Sequence, residues 1–368
     1  MKILYVAMRY DYGLPSRGES FEHYNFYEPL RDMGHDILYF DFMTLLEEHG
    51  RRAMNRRLLD VCRSEKPDVL FSCLFKDELE KETLRDISAH SDTVTVNWFA
   101  DDHWRFENFS RHWAPCFNHV VTTASSALPK YAEIGYRGVI KSQWGCNHLR
   151  YRPLDVAKEY DVTFVGQPHG DRRAVIEEIR RSGIDARAWG TGWQAGRLSQ
   201  DEMVGVFSAS RIVLNLSNAS VLNTGPFGRA KVRVRASLES RMGRWLNRKP
   251  DGSLRKVRSS YHEQIKGRNF EVPGCGAFLL TGEADNLGDY YEEGREVVTF
   301  SDVDDMIDKI RYYLRHEEER ETVAEAGFRR TLSEHTYFHR FSDIFRQMGM
   351  NASVASIGAR RGETVNIE

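Results

Sequence analysis

The chain has 368 residues, with 52 Lys or Arg against 54 Asp or Glu and a formal net charge of −2. That length exceeds what one hydrophobic core organises, so two domains are expected. The balanced charge excludes a surface coated in basic residues for nonspecific nucleic-acid binding, while leaving room for a local basic patch. Five scattered cysteines, Cys62, Cys73, Cys116, Cys146 and Cys275, form no C-x-x-C pair. Neither a disulfide framework nor a structural zinc site is expected, and a reducing cytoplasm fits best. The opening MKILYVAMRYDYG reads as a first strand, not a signal peptide, and no stretch reaches the roughly 18 apolar residues of an integral membrane segment.

From the N-terminus, strand-like and helix-like segments alternate. Ile3–Met8 predicts a strand, Phe21–Met33 a helix stopped by Gly34, and Asp36–Phe42 a strand. Arg51–Arg63 carries helical spacing through Met54, Leu58 and Val61. Asp68–Phe75 is a strand, Glu78–Ser88 a helix, and Thr93–Phe99 and His119–Thr123 are strands. Ser125–Ile134 is a helix, and Gly138–Trp144 ends the set. CNHLRYRPLD, Cys146 to Asp155, reads as an interdomain linker. The alternation then restarts with strands at Tyr160–Val165, Ala186–Trp189, Arg211–Leu216, Gly276–Thr281 and Val297–Phe300. Helices are expected at Arg172–Ser182, Asp201–Ala209, Asp304–Arg315 and Glu318–Ser333. Tyr337–Met348 places Phe338, Phe341, Phe345 and Met348 on one face, the pattern of a buried closing helix. The expected organisation is two doubly wound α/β domains: residues 1–152, closed by the helix 337–348, and residues 153–333. The tail 349–368 is small and polar and is expected to be disordered. Two such sheets would offer their ligand crevices at the carboxyl ends of their strands, facing each other across a cleft.

HEQIKGRNFEVPGCGAFLLTG, His262 to Gly282, holds Glu263 and Glu271 with Lys266 and Arg268 between them, followed by a Gly-containing turn and an apolar run. Ionised carboxylates only accept hydrogen bonds and sugar hydroxyls donate them, so this pair suits a polyhydroxylated ligand. Lys266 and Arg268 can balance phosphate charge, and backbone N–H groups around Gly274–Gly276 can bind an anion if a nest forms there. The alternative is an ordinary helical i,i+3 pair, Arg268–Glu271. In the first domain, RYDYGLPSRGES after the first strand offers Gly13, Gly18 and the cation Arg17, and matches neither a dinucleotide fingerprint nor a P-loop. WFADDHWRFE places Asp101, Asp102 and His103 at a strand's carboxyl end, where an imidazole can serve as general base or hydrogen-bond a ligand; the alternative is a surface turn. His23 reads as a helix-face residue. Gly228–Arg258 carries eleven Lys or Arg against two acids. This basic insertion, 221–260, is either a solvated, salt-bridged segment or a contact for anionic lipid, a phosphorylated acceptor or nucleic acid through 229–258.

Glu263 and Glu271, seven residues between them, followed by VPGCGAFLLT, resemble the donor motif of retaining GT-B glycosyltransferases. The longer run GRNFEVPGCGAFLLTGEADNL, with YYEEGREVVTFSDVDDMIDKI and HTYFHRF, resembles the CgeB-like (spore maturation protein) glycosyltransferase family, and YDVTFVG, GTGW and IVLNLS follow that pattern. The resemblance covers the C-terminal half. It implies a GT-B fold, two Rossmann-like domains facing across a cleft. It further implies that Glu271 accepts from a nucleotide ribose, Glu263 approaches the donor sugar, and Gly274 and Gly276 let the backbone approach the donor. VGQPHGDRR, opening at Gly166, sits where related enzymes place an Arg and a Lys on the diphosphate. Here Gln167 stands at the Arg position and Arg172 at the Lys position, leaving Arg173, Lys266 or Arg268 to compensate. Trp193 of WGTGW is placed either near the base or in a turn between core tryptophans. The loop with Gly13, Arg17 and Gly18 would meet donor phosphate and acceptor.

The function so implied is transfer of a sugar from a nucleotide-sugar donor to an unidentified acceptor, with retention, without metal and with no cofactor beyond the donor as co-substrate. His103 and Glu263 are the catalytic candidates. Two other functions fit the same residues: a nucleotide-sugar epimerase, and a non-catalytic scaffold or nucleic-acid-binding module using the basic insertion.

Overall fold

The computed structural model of the chain describes residues 1–217 and 264–350 together with the backbone of Val365–Asn366. Glu263 and the basic insertion 221–260 lie outside the described residues.

The strands KILYV, DILYF, VLFS and VTVNWF are apolar on both faces, which suits only a parallel sheet covered by helices on both sides. They form β1 (Lys2–Val6), β2 (Asp36–Phe40), β3 (Val69–Ser72) and β4 (Val94–Phe99), joined by β5 (His119–Thr122) and β6 (Val139–Lys141). All pair in parallel, in the order β2-β1-β3-β4-β5-β6, with Ile3 opposite Ile37 and Val69. Side chains alternate between two cores. Leu4, Val6, Leu38, Phe40 and Leu70 pack on one side with Leu58 and Leu84. Ile3, Tyr5, Ile37, Phe71 and Trp98 pack on the other with Phe26, Phe341 and Phe345.

The second sheet comprises β7 (Tyr160–Val165), β8 (Ala186–Trp189), β9 (Ser210–Asn215), β10 (Leu279–Gly282) and β11 (Val298–Phe300), also all parallel, in the order β11-β10-β9-β7-β8. Helices α1 (Glu28–Asp32), α2 (Phe42–Glu65) and α3 (Lys81–His90) serve the first unit. Helices α4 (Arg172–Arg181), α5 (Gln200–Ser208), α6 (Arg268–Gly274), α7 (Val303–Arg315) and α8 (Glu317–Glu334) serve the second. The last helix, α9 (Tyr337–Gln347), returns to the first unit, burying Tyr337, Phe341, Ile344 and Phe345. Its crossing pairs with the earlier one: the Cys146 amide donates to the His335 carbonyl at 2.8 Å and Tyr337 N–H to the Cys146 carbonyl at 3.0 Å.

Three expectations need correction. The strand expected to reach Phe42 stops at Phe40, because Asp41 caps a helix, its Oδ1 accepting from Met43 N–H at 3.2 Å and Thr44 N–H at 3.5 Å. That helix therefore begins nine residues before the expected Arg51. Gly50, at φ +76°, kinks it where a residue with a Cβ would be strained. After β4 the chain runs helically through Asp102–Arg105 and a wider turn, Phe106–Ser110. In the tail expected to be disordered, Val365–Asn366 (β12) pairs in parallel with Leu38 and Tyr39 at the edge of the first sheet.

Candidate functional site

In each sheet the chain leaves its first strand toward one side and later returns to the other, creating a switch point where two loops diverge at the strands' carboxyl ends. In the first unit it lies between β1 and β3, in the second between β7 and β9. These two switch points face each other. Asp11, after β1, forms an ion pair with Arg197 of the second unit. The Tyr12 hydroxyl meets the Gln167 side chain. Gln264 Nε2 donates to Asp101 Oδ1 at 3.3 Å, and His103 Nε2 stands 3.9 Å from Asp285 Oδ2, beyond β10.

The segment 264–271 lines the second unit's side of this crevice. A buried amide network fixes it. The Lys266 N–H donates to Asn269 Oδ1 at 2.9 Å, and Asn215 Nδ2 donates to the same oxygen at 2.9 Å and to Thr281 Oγ1 at 3.1 Å. Helix α6 is thereby locked to the ends of β9 and β10. Gly267 comes so close to Phe21 of the first unit that a Cβ would lie 3.0 Å from its ring. The Lys266 ammonium points to chemistry. Burial lowers its pKa to about 8, Asp101 across the crevice pulls it back up and Arg172 pushes it down. Among the described residues no hydrogen bond or ion pair holds its Nζ. Opposite, burial raises the Glu22 carboxyl, and the neighbouring Asp11 and Asp101 charges raise it further. The crevice thus sets Asp11, Asp101 and Glu22 of the first unit against Lys266, Arg172 and Arg197 of the second, with His103 and Asp285 as a pair of the opposite sense.

Arg172 is 8% exposed and donates to the Gln167 carbonyl at 3.1 Å and the Leu216 carbonyl at 2.8 Å, bracing the β7–β9 switch point. Burial lowers its pKa to about 10, still high enough to keep it charged at neutral pH. Glu271 is fully buried. One of its oxygens is ion-paired with Arg268, the i,i+3 pair anticipated as the alternative; Oε1 has no hydrogen-bond partner among the described residues, the buried Tyr151 hydroxyl being the carboxylate's other polar neighbour. Arg268 also donates to the Val165 carbonyl at 3.4 Å and lies over the Phe207 ring. Its charge is committed to Glu271, so it does not stand as the compensating phosphate cation.

Other expected site residues go elsewhere. A Cβ on Gly274 would lie 2.3 Å from Cys146 Sγ, and one on Gly276, at φ +64°, 3.1 Å from Pro153. Both glycines admit the interdomain stretch rather than opening backbone to the crevice. Arg173 donates to the Gly192 carbonyl at 2.7 Å and covers the Trp193 ring. Trp193 donates its indole N–H to the Gly166 carbonyl at 2.7 Å and meets Phe164 edge-on, making it a core tryptophan of the turn. The Gly166 amide is used up on the Trp189 carbonyl. Asp102 is buried and accepts from the Tyr131 hydroxyl at 2.8 Å, so it belongs to the first unit's core. His23 is buried beside Glu19 at 3.2 Å rather than displayed on a helix face. The first loop does reach the crevice. There Gly13 (φ +73°) abuts Met43, Gly18 (φ +76°) stands in open space, and the Arg17 guanidinium lies 5.3 Å from the Tyr12 ring centre. Asp11, Glu22, Arg197 and Gln264 escaped the sequence reading. Only Gln264, adjoining the glutamate motif, carried a positional signal.

No curated protein matches the chain. Residues 224–346 match the model of a family described as glycosyl transferase-like. Among solved structures, HepE from Anabaena, crystallised with UDP-glucose, superposes with a TM-score of 0.61 at 11% identity, covering 95% of this chain and 99% of that one. A sucrose-phosphate synthase from Thermosynechococcus elongatus gives 0.58 at 9% identity, covering 95% and 97%. A glycosyltransferase from Rickettsia africae gives 0.57 at 7% identity, covering 95% and 98%. The fold is GT-B: two parallel-sheet α/β units with their switch points opposed.

Proposed function

We propose that the protein is a glycosyltransferase of the CgeB-like kind that binds a nucleotide sugar in the crevice between its two units and passes the sugar to an acceptor held by the first. The observation that carries this reading is Lys266, a half-buried ammonium without an ionic partner among the described residues, set where the switch points meet. It stands ready for the diphosphate, replacing the cation that is absent at Gln167. The family match over 224–346, which includes this segment, supports the reading, as does the shared fold of proteins crystallised with UDP-glucose or UDP.

In the proposed reaction the bond between the anomeric carbon and the diphosphate oxygen breaks, and the acceptor hydroxyl oxygen bonds that carbon. The electron pair leaves with the diphosphate, whose charge Lys266 and Arg172 stabilise without a metal. Glu271 Oε1, a buried acceptor with no hydrogen-bond donor among the described residues, suits a ribose hydroxyl. His103, facing Asp285 across the crevice, is placed to hydrogen-bond the sugar or take a proton. Glu263 is assigned to the donor sugar and retention to the glutamate couple. The five buried free thiols suit a reducing cytoplasm.

Thermal-shift screening against nucleotides and nucleotide sugars tests the reading. A true donor at a hundredfold excess over its Kd stabilises by about 2.7 kcal/mol. Incubation with that donor alone, with products separated, discriminates: an epimerised nucleotide sugar would make the protein an epimerase, and silence across the whole panel would remove the proposal.

A further inference from the structure

Beside the crevice, at the join of the two units, lies a second cavity of about 640 Å³. Lys141, from the end of β6, and Tyr290, from the loop after β10, form one wall, and Arg340 of α9 forms another. It adjoins the crevice through Asp285, which faces His103 and whose charge also acts on Lys141.

Its two inner cations have no carboxylate partner among the described residues. Lys141 Nζ donates to the Ser142 carbonyl at 2.9 Å and the Tyr290 hydroxyl at 3.1 Å. The Arg340 guanidinium donates to the Trp144 carbonyl at 3.0 Å and the Glu334 carbonyl at 3.3 Å, and meets His335 Nδ1 at 3.2 Å. It lies against the Phe270 and Tyr290 rings. An ammonium has three donors and a guanidinium five, so one N–H of Lys141 and two of Arg340 remain. The acids in the wall are engaged elsewhere: Glu334 accepts from Arg330 at 2.6 Å, and Asp343 pairs with Arg346. Two half-buried charges that hydrogen-bond only to neutral groups, with Asp285 and Asp289 acting on Lys141 and Asp343 on Arg340 without direct ion pairs among the described residues, leave N–H groups for a counter-ion. Burial, chiefly, lowers the Lys141 ammonium to about 8; Asp285 and Asp289 raise it and Arg340 lowers it.

We propose that this cavity binds a small molecule bearing an oxyanion group, phosphate or carboxylate, held by Lys141 and Arg340 across the join of the two units. The volume leaves room for an organic body against Tyr290 and Phe338. Because Lys141, Tyr290 and Arg340 come from three separate parts of the chain, an occupant would tie the units together beside the crevice without entering it.

Calorimetric titration of the full chain with inorganic phosphate, and separately with acetate, tests this at constant ionic strength. Saturable binding is expected for at least one anion, and which one binds identifies the class. Lys141→Met and Ser342→Glu, the latter placing a carboxylate in the cavity wall, should each weaken it at least tenfold, while Lys266→Met should leave it intact. If Lys141→Met does not fold, Ser342→Glu decides alone. Loss in Lys266→Met with no change in the cavity variants would place the anion in the donor crevice and overturn the proposal. Absence of saturable binding of either anion would also overturn it; nucleotide-sugar recognition is read separately, by the thermal-shift panel with the donor.

Discussion

At the residue scale, Lys266 carries a cost without ligand and a gain with it. Burial holds its folded pKa at about 8, below the ordinary lysine value of 10.5. The unfolded chain therefore binds more protons between those values. The charged side chain weakens the empty fold at neutral pH, and that penalty fades as pH rises through the window. Lys266→Met should raise the melting temperature of the empty protein at neutral pH and abolish its stabilisation by the preferred nucleotide sugar. In the unsubstituted chain, donor affinity should fall as pH rises through about 8, whereas Lys266→Arg should keep a flat profile to about pH 10. Parallel falls in both proteins would exclude Lys266 as the titrating group. Glu271 behaves oppositely. Fully buried and ion-paired, it cannot be removed without leaving Arg268 uncompensated. Glu271→Ala should cost on the order of 3 kcal/mol, toward the low end because Arg268 keeps 25% of its side chain in solvent. Urea denaturation reads that cost directly, and an unchanged midpoint would show that the pair is not formed in solution.

At the scale of elements, helix α6 shows how a residue inside a motif can serve packing. Gly274 looks, in sequence, like backbone cleared for a ligand. In the fold it ends a seven-residue helix against Cys146, with no room for a methyl group. Gly274→Ala should therefore destabilise by about 1–3 kcal/mol. Cys146→Ala should recover at least about 1 kcal/mol of that in the double variant, the coupling expected of touching residues. Strict additivity would rule out the contact. Nucleotide affinity of the folded Gly274→Ala protein should stay unchanged.

At the scale of the whole molecule, the crevice is bridged by the Asp11–Arg197 ion pair, the Tyr12–Gln167 contact and the Gln264–Asp101 hydrogen bond. Arg197 keeps 40% of its side chain in solvent, and such pairs contribute about 0–1 kcal/mol to folding. Their leverage is on how the units sit, since inter-domain contacts of this kind are easily shifted. Asp11→Asn should leave the melting temperature nearly unchanged yet speed amide exchange in 264–267. Unchanged exchange would mean that the clasp does not hold the crevice closed.

Local pattern made the architecture legible. Apolar runs of four to six residues, separated by helical spacing, can bury both faces only in a parallel, doubly wound sheet, and Phe338, Phe341, Phe345 and Met348 announced a closing helix, although its buried face takes Tyr337 and Ile344 and leaves Phe338 half-buried. Caps and kinks were harder to read, because Asp41 and Gly50 act through backbone geometry that periodicity does not reveal. The glutamate motif drew attention to a segment that lines the crevice, but Arg268, Arg173 and Trp193 looked available only because their partners were hidden. Which charges are spent depends on carbonyls at Val165, Gly192 and Leu216, brought close by strands far apart in the chain. Lys266 opposite Asp101, and Lys141 beside Arg340, exist as pairs only after folding. Electrostatic roles are set by distance and burial through space, and a linear pattern encodes neither.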